Sequence, residues 1–390
     1  MFPIPIRSRQ RLLGSRPPAA LAAGLVSWVL LMAGLLAAPA SVAAGTSAST
    51  RYVSTTGTDA GDCSASLCRT IGYAVGQANA GDTISVASGT YHESVLLTKR
   101  LALLGSDATI DATRLDQGIV ISGSGAAGSQ VRGFTVENAG LEGIFAVQTS
   151  QLTISDNTVV HNDAYGPFNL LCVSSPDDCG EAVHLQSVSY STVSGNLVQD
   201  NVGGILLTDE DGPTFKNTIR DNRVLDNSKD CGITLASHYF SLVAPAAPDV
   251  AGVYQNLVLH NTSNGNGAAG IGIFTGPPGA AAWANVVADN TAMNNGLPGV
   301  ALHSHAPFQY LNDNVIVNNT LSGNGPDGDV PTGGPTGISV FSAVIPIPGT
   351  VIAANRISDE QYGIFAVNAI KLNGLPSNKF DTVAVPITVH

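Results

Sequence analysis

The sequence contains few charged and few aromatic residues. Only 12% of its 390 residues are Asp, Glu, Lys or Arg, and only 6% are Phe, Trp or Tyr. This scarcity argues against long helices stabilised by salt bridges. Glycine is abundant instead, with 43 residues, so the chain is rich in turns. An all-β chain of this length can form a single domain, and we expect that organisation here.

Positive charge is concentrated at the N-terminus. Four arginines occupy the first 16 residues and precede an apolar run at 19–38. Small residues follow this run, as in the cleavage site of a secretory signal, which predicts a signal peptide at 1–44. The run is also long enough to span a bilayer, so an uncleaved leader would act as an N-terminal anchor. No later apolar run is this long, and the sequence therefore predicts a secreted or cell-envelope protein.

The rest of the chain is strongly acidic. Without the leader, 13 basic residues remain against 29 acidic residues, which gives a net charge of −16. Such a charge argues against nucleic acid and anionic membranes as partners. An acidic polysaccharide would bind only where local cations overcome this background.

The five cysteines fit an exported protein. Two pairs lie in loop-like stretches where a short disulfide can close, and no second pair follows either one at the spacing of a zinc site. Cys231 opens an apolar segment and is predicted to be a buried thiol. The predicted disulfides are Cys63–Cys68 and Cys172–Cys179.

A short apolar pattern led by Gly or Ala recurs between residues 118 and 363, at intervals of 22 to 39 residues. Strands this short cannot bury an apolar face alone, but parallel stacking of successive units supplies the missing neighbour. The variable interval indicates insertions at one connection of each unit. We therefore predict an all-β fold, a single-stranded right-handed parallel β-helix with three short strands per coil. Its repeats should span 113–375, with a C-terminal tail at 376–390.

Asparagines recur every five residues inside these units, as at Asn314, Asn319 and Asn324. Five fits neither the period of a helix nor that of a strand. Asparagine tolerates the left-handed αL conformation of a sharp corner, and its amide can bond to the same amide of the next coil. The interval is then one corner, a short strand and the next corner. We predict structural asparagine ladders rather than a functional site.

A helical spacing precedes the repeats, within a predicted N-terminal cap and first coils at 45–112. Ile71, Ala74, Val75 and Ala78 predict a short amphipathic helix that caps the open core. Together with the phrases GDTI and GTYHE, this segment resembles the N-terminal cap of the pectate-lyase-like β-helix superfamily. The resemblance covers roughly residues 51–370 and implies the right-handed parallel β-helix fold. The superfamily includes lyases, hydrolases, epimerases, phage tailspikes and periplasmic accessory proteins.

Side chains that alternate with the inward Ile and Leu residues point outward and should form columns about 4.8 Å apart. Long insertions at 161–180, 238–254 and 322–335 could form a wall along the same edge, since solenoids commonly place a binding groove on one face. The candidate catalytic residues on this edge are His184, Asp209, Asp211, His238, His303 and His305. The candidate substrate-binding residues are Gln186, Glu210, Tyr239 and Phe274.

Three interpretations of this cluster stay open: an enzyme with either of two reaction types, a metal site, or ordinary surface residues. In a hydrolase, Asp209 and Asp211 would act as acid and base. In β-elimination or C5 epimerisation of a uronate, a histidine or Tyr239 would remove the C5 proton, and Ca²⁺ would neutralise the acidic triplet 209–211. In a metal site, His184, His238, His303 and His305 would bind a transition metal with Asp209. The third interpretation is a solvated turn with scattered surface histidines, the ordinary environment of such residues.

The sequence therefore predicts a secreted, monomeric, carbohydrate-active β-helix enzyme of lyase, epimerase or glycosidase type, whose partner is a polysaccharide or oligosaccharide. The paired-aspartate and Gly-His-Gly pattern of the polygalacturonase-like hydrolases has no match, since Glu210 separates the two aspartates. Ca²⁺ is the cofactor that an elimination mechanism suggests. The alternative is a non-catalytic envelope or surface scaffold for adhesion or metal handling.

Overall fold

A computed structural model describes residues 48–162, 181–329 and 332–390. The predicted signal peptide and the predicted Cys172–Cys179 disulfide lie outside these residues. Within them, every helix is too short and too polar to cross a membrane.

The chain winds into coils whose strands stack in parallel. One sheet has eleven strands and is called the long sheet here. Its inward side chains form two columns, as shown by the register of Ile205 on Ile233 and of Leu207 on Leu235, and all four are at most 1% exposed. The strands of the long sheet are Val95–Leu97, Ile119–Ser122, Ile144–Val147, Glu181–Gln186, Gly203–Thr208, Ile233–Ser237, Ile271–Thr275, Val300–Ser304, Thr336–Ser342, Tyr362–Val367 and Val385–Val389.

Two further stacks of short strands close each coil around the core. The first comprises Thr153–Ser155, Thr192–Ser194, Thr218–Arg220, Leu257–Leu259, Val286–Ala288, Val315–Val317 and Val351–Ala353. The second comprises Thr158–Val160, Leu197–Gln199, Arg223–Leu225, Thr262–Asn264, Thr291–Met293, Thr320–Ser322, Arg356–Ser358 and Lys379–Asp381. At the N-terminal end, Ala102–Asp111 and Gln130–Glu137 are longer strands, and Gln130–Glu137 pairs with the first strand of each stack. The shorter strands Thr50–Val53, Thr83–Val86 and Gly89–Tyr91 precede them. Two-residue strands also pair beside the stacks: Thr214–Phe215, Val253–Tyr254, Ala282–Trp283, Ile347–Pro348 and Ala369–Ile370.

This arrangement confirms the predicted parallel β-helix with three strands per coil. The stacking continues to the C-terminus, because Lys379–Asp381 and Val385–Val389 pair with the preceding coil. Residues 376–390, expected to form a tail, therefore contain two strands of the solenoid.

The predicted capping helix is present at Ile71–Gln77. Its buried residues Ile71, Ala74 and Val75 face the core, as the spacing indicated. Glu93 accepts hydrogen bonds from the first backbone amides of the helix, at 2.8 and 2.7 Å, and so fixes the helix to the first coils. Two short 3₁₀ segments, Ser124–Ala126 and Leu375–Ser377, lie elsewhere. The predicted Cys63–Cys68 disulfide is formed, and Cys231 is a buried free thiol.

Asparagine side chains form hydrogen-bonded ladders at the corners of the coils. The Nδ2 of Asn290 donates to the Oδ1 of Asn319 at 3.0 Å, and the backbone N of Asn290 donates to the same oxygen. Every step of the ladders repeats this pattern, which confirms the predicted role of the five-residue interval. The first ladder comprises Asn157, Asn196, Asn222, Asn261, Asn290, Asn319, Asn355 and Asn378; the second Asn162, Asn201, Asn227, Asn266, Asn295 and Asn324; the third Asn217, Asn256, Asn285 and Asn314.

The prediction that the ladder asparagines themselves adopt the αL conformation is wrong. Positive φ occurs one residue earlier, as at Asp289 (58°) before Asn290 and at Asn318 (58°) before Asn319. The corner residue is exposed and tolerates αL, whereas the following asparagine is buried. One residue thus turns the chain at the corner, and the asparagine that follows it forms the ladder contact.

Glu360 ends the second ladder in place of an asparagine. Its Oε1 accepts hydrogen bonds from the backbone N and the Nδ2 of Asn324, both at 3.0 Å. Burial raises the pKa of Glu360 to about 7 despite these two hydrogen bonds. Because this folded pKa lies above the ordinary value of 4.5, protonation favours the fold. That contribution is complete below pH 4.5 and is lost as the pH rises through about 7.

Glu360→Gln is expected to stabilise the protein above pH 7, because glutamine keeps the acceptor oxygen without the buried charge. One pKa unit corresponds to about 1.4 kcal/mol, so we expect a gain of about 1–3 kcal/mol at pH 8 and little change at pH 5. Thermal denaturation of both proteins at the two pH values measures this. Glu137→Gln makes the same chemical change outside the ladder and should show no such pH dependence; equal gains at both pH values in Glu360→Gln would contradict the expectation.

Candidate functional site

The outward side chains of the long sheet form two columns, in the register that the sequence predicted. His184 stacks on Leu206, which is followed in the same column by Thr234, Gly272 and Ala301. The second column runs in the order Gln186, Thr208, Ala236, Phe274, His303 and Phe341. Candidate residues that are far apart in sequence therefore do share one sheet face.

His303 binds two carboxylates from the connection that follows its coil. Its Nε2 contacts Asp327 Oδ2 at 2.8 Å, and its Nδ1 contacts Asp329 Oδ2 at 2.9 Å. Carboxylates only accept hydrogen bonds, so both ring nitrogens carry protons and His303 is an imidazolium. Burial lowers the pKa of His303, but the hydrogen bonds to Asp327 and Asp329 outweigh it and raise the pKa to about 9. The hydrogen bond from His303 lowers the pKa of Asp329 to about 2.

This raised pKa makes stability depend on alkaline pH. The folded pKa of His303 is above its ordinary value of 6.5, so the stabilisation is complete below pH 6.5 and is lost as the pH rises through about 9. We expect the thermal midpoint of the protein to fall over that interval, measured by circular dichroism. His303→Gln should be less stable at pH 6 and should show a flatter profile; an unchanged slope in this variant would refute the assignment.

His305 extends this chain of contacts to the surface. Its Nε2 lies 3.1 Å from Asp329 Oδ2, and its side chain is 38% exposed. Since Asp329 is ionised and can only accept, the Nε2 of His305 donates to it. The result is the relay Asp327–His303–Asp329–His305, with the imidazole of His305 at its exposed end.

Gln309 fixes the backbone around His305. Its Oε1 accepts hydrogen bonds from the backbone N of His305 at 2.6 Å and of Ala306 at 2.9 Å. Its Nε2 donates to the carbonyls of Thr275 and Gly276, both at 2.8 Å. Gln309 is buried and so ties the His305 segment to the preceding coil.

A groove of about 440 Å³ opens beside His305 and Asp329. Phe274 contributes an aromatic ring, which lies edge-on to His303 at 5.4 Å between ring centroids. Lys229 is an exposed cation on the connection that precedes the strand Ile233–Ser237. The groove is lined by Lys229, Asp230, Cys231, Thr234, Ala236, His238, Ala268, Phe274, Thr275, Gly276, Leu297, His305 and Asp329.

His238 brings a second histidine–carboxylate pair to the groove. Its Nδ1 lies 2.5 Å from Glu210 Oε1. Burial raises the pKa of Glu210, but the hydrogen bond and charge of His238 outweigh it and lower the pKa to about 2. Glu210 is therefore ionised at neutral pH and orients His238.

Asp209 is buried beneath this pair, with 1% of its surface exposed. It accepts hydrogen bonds from Ser237 Oγ at 2.7 Å, from the backbone N of His238 at 2.7 Å and from the backbone N of Gly252 at 2.6 Å. Burial raises its pKa despite these bonds. Asp209 therefore anchors the insertion that begins at His238, and its three hydrogen bonds give it a structural role below the groove surface.

The remaining candidate residues lie apart from the groove. Gln186 Nε2 donates to Asp211 Oδ2 at 2.8 Å, and Asp211 lies just after the strand Gly203–Thr208. Tyr239 packs against the buried cluster of Ala246, Ala251 and Ala281. His184 lies four strands from His303, which at the spacing of parallel strands is about 19 Å. The structure thus brings His238, His303, His305, Glu210 and Phe274 together and separates His184, Gln186, Asp211 and Tyr239 from them.

The sequence profile described as "Right handed beta helix region" matches residues 101–305, more than half of the chain. The chain belongs to this family. No curated protein sequence matches it.

Two solved structures are similar to this β-helix protein at low sequence identity. The surface adhesin PfbA of Streptococcus pneumoniae is 13% identical, with a TM-score of 0.50 and coverage of 81% of this chain and 87% of PfbA. The catalytic domain of a GH87 α-1,3-glucanase, solved with tetrasaccharides, is 12% identical, with a TM-score of 0.51 and coverage of 89% and 66%. At these identities the likeness shows the fold alone, and it includes an adhesin as well as an enzyme.

Sequence reasoning missed several polar residues of this β-helix face. Asp327 and Asp329 lie in the insertion 322–335, whose residues follow no repeat. Sequence periodicity therefore could not predict their contact with His303. Glu142 and Glu181 did leave a signal: each stands immediately before the repeat pattern, in EGIF and EAVH. Their equal offset in the paired strands places them on adjacent coils.

Proposed function

We propose that this β-helix protein is an extracytoplasmic carbohydrate-active enzyme that removes a proton from a uronate residue of a polysaccharide. The observation that carries the proposal is the His305–Asp329 pair, whose basic Nδ1 stands at the edge of a groove with an aromatic ring and an exposed lysine. A base oriented by an ionised carboxylate is the arrangement that proton abstraction requires. The Cys63–Cys68 disulfide supports an exported location.

The groove contains a residue for each role that the reaction needs. His305 Nδ1 would accept the C5 proton, and Asp329 would stabilise the imidazolium that forms. Lys229 would pair with the uronate carboxylate, which takes up the electron pair of the broken C–H bond. Phe274 would pack against a sugar face. Expulsion of the glycosidic oxygen at C4, which takes up a proton from water, then gives an unsaturated product. Delivery of a proton from water to the opposite face of C5 instead gives the epimer.

Incubation of the secreted protein with a panel of uronate-containing and neutral polysaccharides in D₂O tests this function. Elimination produces ultraviolet-absorbing unsaturated ends, and epimerisation incorporates deuterium at C5, detected by NMR. New reducing ends without either signal would replace the proposal with hydrolysis. Parallel incubations with EDTA and with added Ca²⁺ show whether a cation assists substrate binding.

A non-catalytic scaffold predicts a different outcome in the same experiment. Binding of a glycan, measured by calorimetry, with no absorbance change, no deuterium and no reducing ends would overturn the enzyme proposal. It would leave the same groove as a recognition site.

A further inference from the structure

A second polar cluster lies on the long sheet, about four strands from His303 and outside the groove. Glu142, Glu181 and His184 are 8%, 1% and 5% exposed. Each offers one ligand atom, and these atoms lie within 4.8 Å of one another. Carboxylate oxygens and imidazole nitrogens are the ligand types that divalent transition-metal ions accept. The three residues therefore form a candidate metal-binding cluster.

His184 directs an unsatisfied nitrogen into this cluster. Its Nε2 is hydrogen-bonded to Thr208 Oγ1 at 2.8 Å. Its buried Nδ1 makes no hydrogen bond within the described part of the chain and lies 3.7 Å from Glu142 Oε1. A charge-assisted hydrogen bond would be shorter, at about 2.7–2.9 Å. Two ligands of one tetrahedral zinc ion are roughly 3.5 Å apart, which is closer to the observed separation.

Glu142 and His184 each make a hydrogen bond through the atom that points away from the cluster. Metal ligands in proteins are commonly oriented in this way. Gln117 Nε2 donates to Glu142 Oε2 at 3.1 Å, which leaves Glu142 Oε1 toward His184. Thr208 holds the far nitrogen of His184 in the same way. Such outer hydrogen bonds fix the orientation and tautomer of metal ligands.

We propose that Glu142, Glu181 and His184 bind one divalent transition-metal ion, through two carboxylate oxygens and the Nδ1 of the imidazole. Two carboxylates neutralise a 2+ ion, and the imidazole selects Zn²⁺ or a similar ion over Ca²⁺. His303 differs from His184 in this respect, because both of its nitrogens donate to carboxylates and neither has a free lone pair. The inference does not depend on the proposed enzymatic function.

Metal titration of the full chain tests the site. The protein is stripped with a chelator, dialysed and titrated with Zn²⁺ by calorimetry, and with Co²⁺ by visible absorption, which reports imidazole ligation. We expect one equivalent in the wild type and binding at least about 100-fold weaker in Glu142→Gln. Thr208→Val removes the outer hydrogen bond to His184 without changing a proposed ligand, and should weaken binding about 10–100-fold. Ca²⁺ under the same conditions should bind more weakly than Zn²⁺.

His305→Gln is the control variant, because His305 belongs to the other histidine–carboxylate cluster of the sheet. It should keep the full equivalent of Zn²⁺. No stoichiometric binding by the wild type would overturn the proposal and leave His184 as a buried structural neighbour of Glu142. Loss of the equivalent in His305→Gln, or unchanged affinity in Thr208→Val, would also overturn it. Thr208→Val keeps the test valid if Glu142→Gln does not fold.

Discussion

Asn319→Ala is expected to destabilise the protein by about 3–5 kcal/mol, because it removes one step of a buried ladder. The Oδ1 of Asn319 accepts from the backbone N and the Nδ2 of Asn290, both at 3.0 Å. Its Nδ2 donates to Val287 O and to Asn355 Oδ1, also at 3.0 Å. Alanine leaves the two donors of Asn290 buried and unpaired, at about 1–3 kcal/mol each. Urea denaturation measures the loss.

Asn318→Gly is the matched control, one residue away. Asn318 is exposed and has a φ of 58°, which glycine adopts without strain. We expect a change within about 0.5 kcal/mol. Hydrogen exchange adds a local measurement: the amide of Asn290 should lose protection in Asn319→Ala and keep it in Asn318→Gly. Equal destabilisation by the two substitutions would contradict the division of turning and stacking between adjacent residues.

Asn318 and Asn319 show which structural features a sequence repeat can predict and which it cannot. The spacing of Asn314, Asn319 and Asn324 predicted the ladders because every coil repeats the same contact. The spacing could not say which residue turns the corner, since Asn318 and Asn319 are the same residue type. Burial separates them: Asn319 is 0% exposed, whereas Asn318 is exposed.

The candidate site was predictable to the extent that it follows the coils. The alternation of inward and outward residues placed Phe274 beside His303, and the structure has that register. The partners of His303 come instead from an insertion, where no neighbouring coil fixes the position of Asp327 or Asp329. Asp209 was a candidate catalytic residue because it follows a strand. In the structure, its three hydrogen bonds hold the insertion that begins at His238.

The relay also explains why a buried charged histidine is stable on this face. His303 is 3% exposed, yet both of its protons are donated to carboxylates, so its positive charge is paired. One of those carboxylates, Asp329, reaches the groove and contacts His305. The sheet thereby connects a rigid buried pair to a more exposed base. Such support from packed residues is what holds a catalytic group in a fixed geometry.

His305→Gln is expected to lower the rate of proton abstraction by about 10²–10⁴-fold, the usual contribution of a general base. Glutamine can still donate to Asp329, but it has no basic nitrogen to accept the proton. The effect should fall mainly on kcat, since the sugar contacts of Phe274 and Lys229 remain. Asp329→Asn should lower kcat about 10²-fold and leave His305 in place, because asparagine cannot stabilise the imidazolium.

The control is His260→Asn, which changes an exposed histidine at a corner with a φ of 55°, outside the groove. Asparagine tolerates this conformation, so the variant should keep wild-type kcat and KM. Deuterium incorporation or unsaturated product is measured for all four proteins at the same substrate concentrations. If His305→Gln retains its rate within about threefold, His305 is not the base, and the second pair in the groove, His238 with Glu210, becomes the group to vary.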